Sequence, residues 1–177
     1  MAAISPATVQ EFVDVGANGA TTAIQGRALE DLICYVFMQV SGVSITRRNE
    51  MNVFDTEEID IALWNDSLHD GFFFLPNIIL VECKNWSARV SSAEVAWFDT
   101  KLRNRGLGFG ILIAANGITG DAADLTAAHS IVAAALREGR RLIVIKRDEL
   151  LALTDSTELV RVVKEKLCDL AVMGTVV

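Results

Sequence analysis

Residues 78–84, Ile78-Ile79-Leu80-Val81-Glu82-Cys83-Lys84, form an aliphatic run that ends in a carboxylate and an ammonium two positions apart. A segment apolar on both faces predicts a central strand covered on both sides, as in sheets flanked by helices. Alternation along a strand puts Glu82 and Lys84 on one face. Charges beside so apolar a stretch are costly unless they pair with each other or bind something.

The elements around this strand predict an α/β fold, a mixed sheet with helices on both faces. Leu29, Leu32, Ile33, Val36, Phe37 and Val40 recur at helical steps, predicting an amphipathic helix over about 26–40. A strand is expected over about 43–47. A second spans 58–64, where Ile59, Ile61 and Leu63 alternate with Asp60, Ala62 and Trp64. After the central strand the pattern continues as a helix over 91–105, a buried strand over 110–115 and an Ala-rich helix over 121–137, packed through Leu125, Ala128, Val132 and Leu136. A last core strand covers 142–145, a helical turn 148–153, and a closing helix about 157–171. The polar, Gly-bearing stretch Asp14–Gly19 reads as a loop in an N-terminal arm over 1–25. The whole chain, 1–177, is expected to be one domain with its core over about 26–153.

With 51% apolar residues the chain has enough material for a core. No apolar run approaches the roughly 18–20 residues that span a bilayer, and the first residues lack the regions of a signal peptide. A soluble, cytoplasmic protein is therefore expected. Sixteen basic residues against 23 acidic ones leave a net charge of −7, which argues against bulk electrostatic attraction to nucleic acid. It leaves room for an enzyme whose acidic site recruits a divalent metal. Cys34, Cys83 and Cys168 are too scattered for a disulfide or zinc framework and read as reduced core thiols.

If the 58–64 strand pairs as a hairpin with the central one, Asp60 and Glu82 lie side by side at one sheet end. Two like charges there raise each other's pKa, and a divalent cation relieves them. Glu30, at the edge of the first helix's apolar stripe, leans toward the sheet. Each of these residues also has a plainer reading. Glu82 and Lys84 can be a strand-end ion pair, Asp60 a turn residue, and Glu30 a solvated helix charge. Trp64, Trp86 and Trp97 read as packing residues; His69 and His129 suit surface or capping roles. Three basic clusters, at Arg47-Arg48, at Lys101, Arg103 and Arg105, and at Arg137, Arg140 and Arg141, can grip phosphates or simply complement helix C-termini. The Thr119 or Gly120 amides can hold a phosphate. No Walker A, Rossmann or nucleophile-elbow motif is present.

Glu30, the stretch Glu58-Ile59-Asp60-Ile61-Ala62, and Glu82-Cys83-Lys84 together resemble the PD-(D/E)xK nuclease signature, with Ile59 standing where the nominal proline precedes the aspartate. Ile79 through Trp86 is particularly similar to the nuclease-related (NERD) and Mrr-like restriction branches, and the likeness extends from about residue 26 to 153. The resemblance implies a restriction-endonuclease-like core and hydrolysis of DNA phosphodiester bonds with Mg²⁺, Mn²⁺ serving as a substitute. Asp60 and Glu82 would ligate the metal with the Cys83 main-chain carbonyl. Lys84 would orient the attacking water, and Glu30 would hold a metal-bound water or a second metal. Asn85, Glu94 and Lys101 are the candidate substrate contacts, although an exposed helical face is the simpler reading of the last two. The expected partners are DNA (RNA being possible), a second copy in a homodimer or larger assembly, and a protein that supplies basic surface in a prokaryotic defence or DNA-processing system. The same fold without turnover, as a binding or scaffold module, is the alternative.

Overall fold

A computed structural model describes residues 2–53, 55–84, 88–122 and 126–176. Its elements run α1 (Pro6–Asn18), α2 (Thr22–Phe37), β1 (Val43–Met51), β2 (Glu58–Asn65), β3 (Ile78–Lys84), α3 (Ser92–Asn104), β4 (Phe109–Ala114), α4 (Ala128–Arg137), β5 (Arg141–Ile145), α5 (Arg147–Leu151) and α6 (Ser156–Met173). The strands form one sheet in the order β1-β2-β3-β4-β5. The first two pairings are antiparallel and the last two parallel, so β3 is both the middle strand and the seam between the two halves.

Alternation along β3 divides its side chains between two helical layers. Leu80 lies beside Gly110 and Glu82 beside Leu112 in the parallel register. A Cβ on Gly110 would lie 2.7 Å from Leu102 Cδ1 and 2.8 Å from Phe98 Cζ, so this face meets α3, which approaches closely because position 110 has no side chain. Ile79, Val81 and Cys83 point the other way, toward α2. The fully buried Leu32, Ile33, Val36 and Phe37 of α2 cover that face. The fold is thus α/β, a mixed sheet between helices, of the restriction-endonuclease-like kind.

Several local expectations are corrected. The arm contains a helix where a loop is expected: Ser5 caps it through the Thr8 amide (3.3 Å), Pro6 starts it, and Val9 anchors it in the core. The arm is also tied down, because Ile4 N–H donates to the Thr154 carbonyl (2.9 Å) and Ser156 N–H to that of Ala2 (3.0 Å). β1 extends to Met51, four residues beyond the expected strand, because backbone pairing to β2 continues where its side chains no longer alternate in burial. α4 starts at Ala128 rather than near 121. Before it, Gly120 has φ +102°, and a Cβ there would lie 2.2 Å from the Thr126 carbonyl oxygen, a close approach that no continuing helix allows. Leu125, assigned by periodicity to that helix, lies outside the described residues. Cys168 is exposed on α6 rather than in the core. Trp64 and Trp97 are exposed rather than packed, and His129 is buried rather than at the surface.

Candidate active site

β2 and β3 stay in register from Trp64 opposite Ile78 to Ile61 opposite Val81. One step further places Asp60 opposite Glu82 on the α3 face, because directly opposed residues of an antiparallel pair project to the same side. There side-chain contacts take over from the ladder, and the Cys83 amide donates to Asp60 Oδ2 at 2.7 Å. That bond fixes the Asp60 carboxyl at the end of the catalytic-candidate strand.

Glu82 is only 3% exposed. Its Oε1 lies 3.0 Å from Lys84 Nζ and its Oε2 2.6 Å from Lys101 Nζ. Lys101, also 3% exposed, reaches this point from α3. Two ammonium groups therefore hold one buried carboxylate, the arrangement that makes burial of so many charges tolerable. Burial and the neighbouring Glu82 charge push the Asp60 carboxyl up to about 6, against the lowering influence of the Cys83 amide, Lys84 and Lys101. Burial works against the Lys84 charge, but Glu82 and Asp60 more than offset it and hold that ammonium above its usual range.

The donor set suits a small divalent cation. Asp60 and Glu82 offer carboxylate oxygens, and Cys83, whose amide already bonds Asp60, directly follows Glu82 and brings a main-chain carbonyl. Among the described residues no three His, Cys, Asp or Glu side chains gather at one point. A hard cation that keeps several waters and takes one or two carboxylates, as Mg²⁺ does, fits such a pair. A second positive charge beside Asp60 would also relieve the like-charge contact that raises its pKa.

Glu30 is held elsewhere. It sits on α2, across the sheet from Lys101, where its Oε2 accepts from Arg48 Nε (3.1 Å) and Asn49 Nδ2 (2.9 Å). Its charge still bears on Cys83, whose thiol burial pushes well above the usual range with Asp60 and Glu30 adding to the effect. Glu94 belongs to the start of α3, where its Oε2 accepts from the Ser91 amide (3.1 Å) and hydroxyl (3.0 Å) as a capping box. Asn85 and Trp86 lie outside the described residues. The expected exposed face of α3 does not extend to Lys101. Its place in the apolar stripe with Phe98 and Leu102, at i−3 and i+1, was the available sign of burial.

The basic clusters are largely committed within the fold. Arg48 bonds Glu30 and Asp31, Arg105 bonds Glu57, and Arg140 grips both oxygens of Asp99 at 2.6 and 2.9 Å. The Thr119 amide donates to the Val90 carbonyl (2.9 Å) and so is not presented to a phosphate. Among the described residues no helix is long and apolar enough to cross a membrane.

The family model for the Mrr-type restriction endonuclease catalytic domain matches residues 21–154 of the 177. Among curated proteins, none matches the chain.

Proposed function

The chain belongs to the Mrr-type restriction endonuclease family, and from that premise we propose that Asp60, Glu82 and Lys84 are the centre of a metal-dependent nuclease that hydrolyses DNA phosphodiester bonds. The observation that carries this reading is the buried Glu82 carboxylate at the end of β3, clamped by Lys84 and Lys101 with the raised Asp60 carboxyl opposite. Asp60 and Glu82, with the Cys83 main-chain oxygen, would hold Mg²⁺ or Mn²⁺. Such an ion lowers the pKa of a coordinated water and neutralises charge developing on the phosphoryl oxygens. Lys84, the more exposed of the two lysines and firmly protonated, stands where it can orient the attacking water and meet that charge. Lys101 is a positioning residue: it fixes the Glu82 carboxylate from below and does not reach the substrate. Glu30, held by Arg48 and Asn49, would contribute only through a water of the bound metal. Asn85 follows the motif directly and is assigned a contact to the substrate backbone.

A cut through both strands needs two such centres or two visits, which favours a homodimer. The net charge of −7 favours a partner that supplies basic surface. We place this activity in a prokaryotic cytoplasmic restriction or DNA-processing system. The test is cleavage of supercoiled and linear DNA by the purified protein with Mg²⁺, Mn²⁺ or EDTA, alongside Lys84→Ala. Metal-dependent nicking that falls by about 10²-fold or more in the variant is expected. Equal nicking by the two proteins would remove Lys84 from the chemistry. Absence of both cleavage and Mn²⁺ binding by calorimetry would leave a non-catalytic binding module.

A further inference from the structure

A cavity of about 330 Å³ opens beside the catalytic-candidate strand, off the carboxyl ends of the parallel strands β4 and β5. Crevices in that position are where open α/β sheets bind ligands. Its charged lining is Arg89, Lys146 and Asp148, with Asn116, Gly117 and His129 completing the polar wall. In a chain of net charge −7, this concave surface carries two cations against one carboxylate, and Asp148 lies 3.8 Å from the Arg147 guanidinium outside it. Lys146 is set by backbone geometry. Gly117 has φ +76°, and a Cβ there would lie 3.5 Å from Lys146 Cε, so the lysine stem crosses the glycine. His129, 8% exposed, is fastened through Nδ1 to Thr175 Oγ1 at 3.1 Å. Burial lowers its pKa, the Asp121 charge and the Val176 backbone oppose this, and the smaller Lys146 and Arg89 influences add to the lowering, so both cations bear on the same wall.

The floor is joined to the proposed active centre. Ala115 N–H donates to the Lys84 carbonyl at 3.1 Å, and Val90 N–H to that of Gly117 at 2.9 Å. From β3 to β5 are two strand spacings, about 10 Å. A single nucleic-acid strand laid over Lys84 can therefore extend into this cavity. The volume is at the lower end for ligand pockets, about 300 Å³, larger than a bare phosphate needs.

We propose that this cavity is a substrate subsite that seats one nucleotide of the strand being cut, away from the scissile bond, with Arg89 and Lys146 gripping its phosphate. The subsite rests on the nuclease reading above. Arg gives a planar fork to phosphate oxygens and Lys a point charge, and both residues are exposed.

The test compares wild type with an Arg89→Ala/Lys146→Ala double variant in plasmid nicking and in anisotropy binding of a labelled 20-base-pair DNA duplex across a salt series. The expected result is an affinity loss of about tenfold or more. The log-log salt slope should become shallower by about 1–2, and KM should rise with kcat largely kept. Lys146→Arg should retain wild-type affinity, and circular dichroism should show the double variant folded. A thermal-shift arm uses deoxyadenosine monophosphate alone. If it stabilises wild type but not the variant while duplex binding is equal in both, the cavity takes a free nucleotide and the strand subsite is overturned. Equal cleavage, binding and slope in the two proteins would overturn it with the nuclease intact. A wild type that neither binds nor cuts DNA would remove the nuclease reading, and the subsite with it.

Discussion

Asp60→Asn is expected to stabilise the protein at neutral pH while abolishing its chemistry. The Asp60 carboxyl ionises at 3.8 when unperturbed and at about 6 in the fold. Between those values the folded chain retains a proton that the unfolded chain has released. Stability therefore falls as pH rises from about 4 to 6 and stays at that lower level above. About two pKa units at 1.36 kcal/mol each give about 3 kcal/mol. Asparagine keeps an oxygen to accept the Cys83 amide and removes the repulsion toward Glu82, so the variant should recover most of that sum above pH 6 and little below pH 4. For a chain of this length the gain corresponds to a melting-temperature rise of about 6–12 °C. The assay is urea or thermal unfolding of both proteins in EDTA at pH 4, 5, 6 and 8, with the difference between them expected to grow through that window. Adding Mg²⁺ should then narrow the gap, since binding to the wild type alone stabilises it by about 2.7 kcal/mol at one hundred times the dissociation constant. A variant no more stable than wild type at pH 8 would refute the reasoning. It would mean that Lys84, Lys101 and the Cys83 amide compensate the Asp60 charge as fully as water does.

Lys101→Met should destabilise by about 3 kcal/mol in urea unfolding, because Glu82 loses one of two partners in a dry site. Adding Glu82→Gln should return most of that loss, and additive effects would contradict the pairing. Gly110→Ala forces a methyl against Leu102 and Phe98 and should cost about 1–3 kcal/mol; an unchanged unfolding midpoint would mean that α3 can shift freely. A thiol reagent should modify Cys168 rapidly and the other two cysteines slowly, since burial raises the pKa of both the Cys34 and Cys83 thiols. More than one fast adduct by mass spectrometry would contradict this packing.

Much of the sheet is legible along the chain because its strands are either uniformly apolar or strictly alternating. The bounds of β3 are readable from 78–84, and pairing of β2 with β3 brings Asp60 beside Glu82 as the hairpin reading requires. Periodicity is silent where backbone geometry decides. β1 continues past Arg47 on ladder bonds alone, and the start of α4 depends on a positive-φ glycine and a close carbonyl. The first helix was hidden by Gly16 and its polar neighbours, although Ser5-Pro6 before Val9 was a readable start signal. Charge identity misleads most at Lys101 and the arginines. A lysine or arginine looks solvated in one dimension, and only three-dimensional contact shows that Glu82, Glu57 and Asp99 already hold them.

The change of pairing direction at β3 sorts the connections of the chain into two groups. The β1–β2 turn, the stretch after β3, and the segments after β4 and β5 all emerge at the end that carries Asp60 and Lys84. The 66–77 connection and the turns leading into β4 and β5 emerge at the other. Lengthening a surface loop costs little, about 0.6 kcal/mol per doubling. The fold therefore behaves as a cartridge. Insertions at the exposed tip 68–70, clear of the buried Phe72 and Leu75 that seat the rest of this connection in the core, would lengthen the chain away from Asp60 and Lys84, whereas insertions in the other group of loops would fall beside those residues.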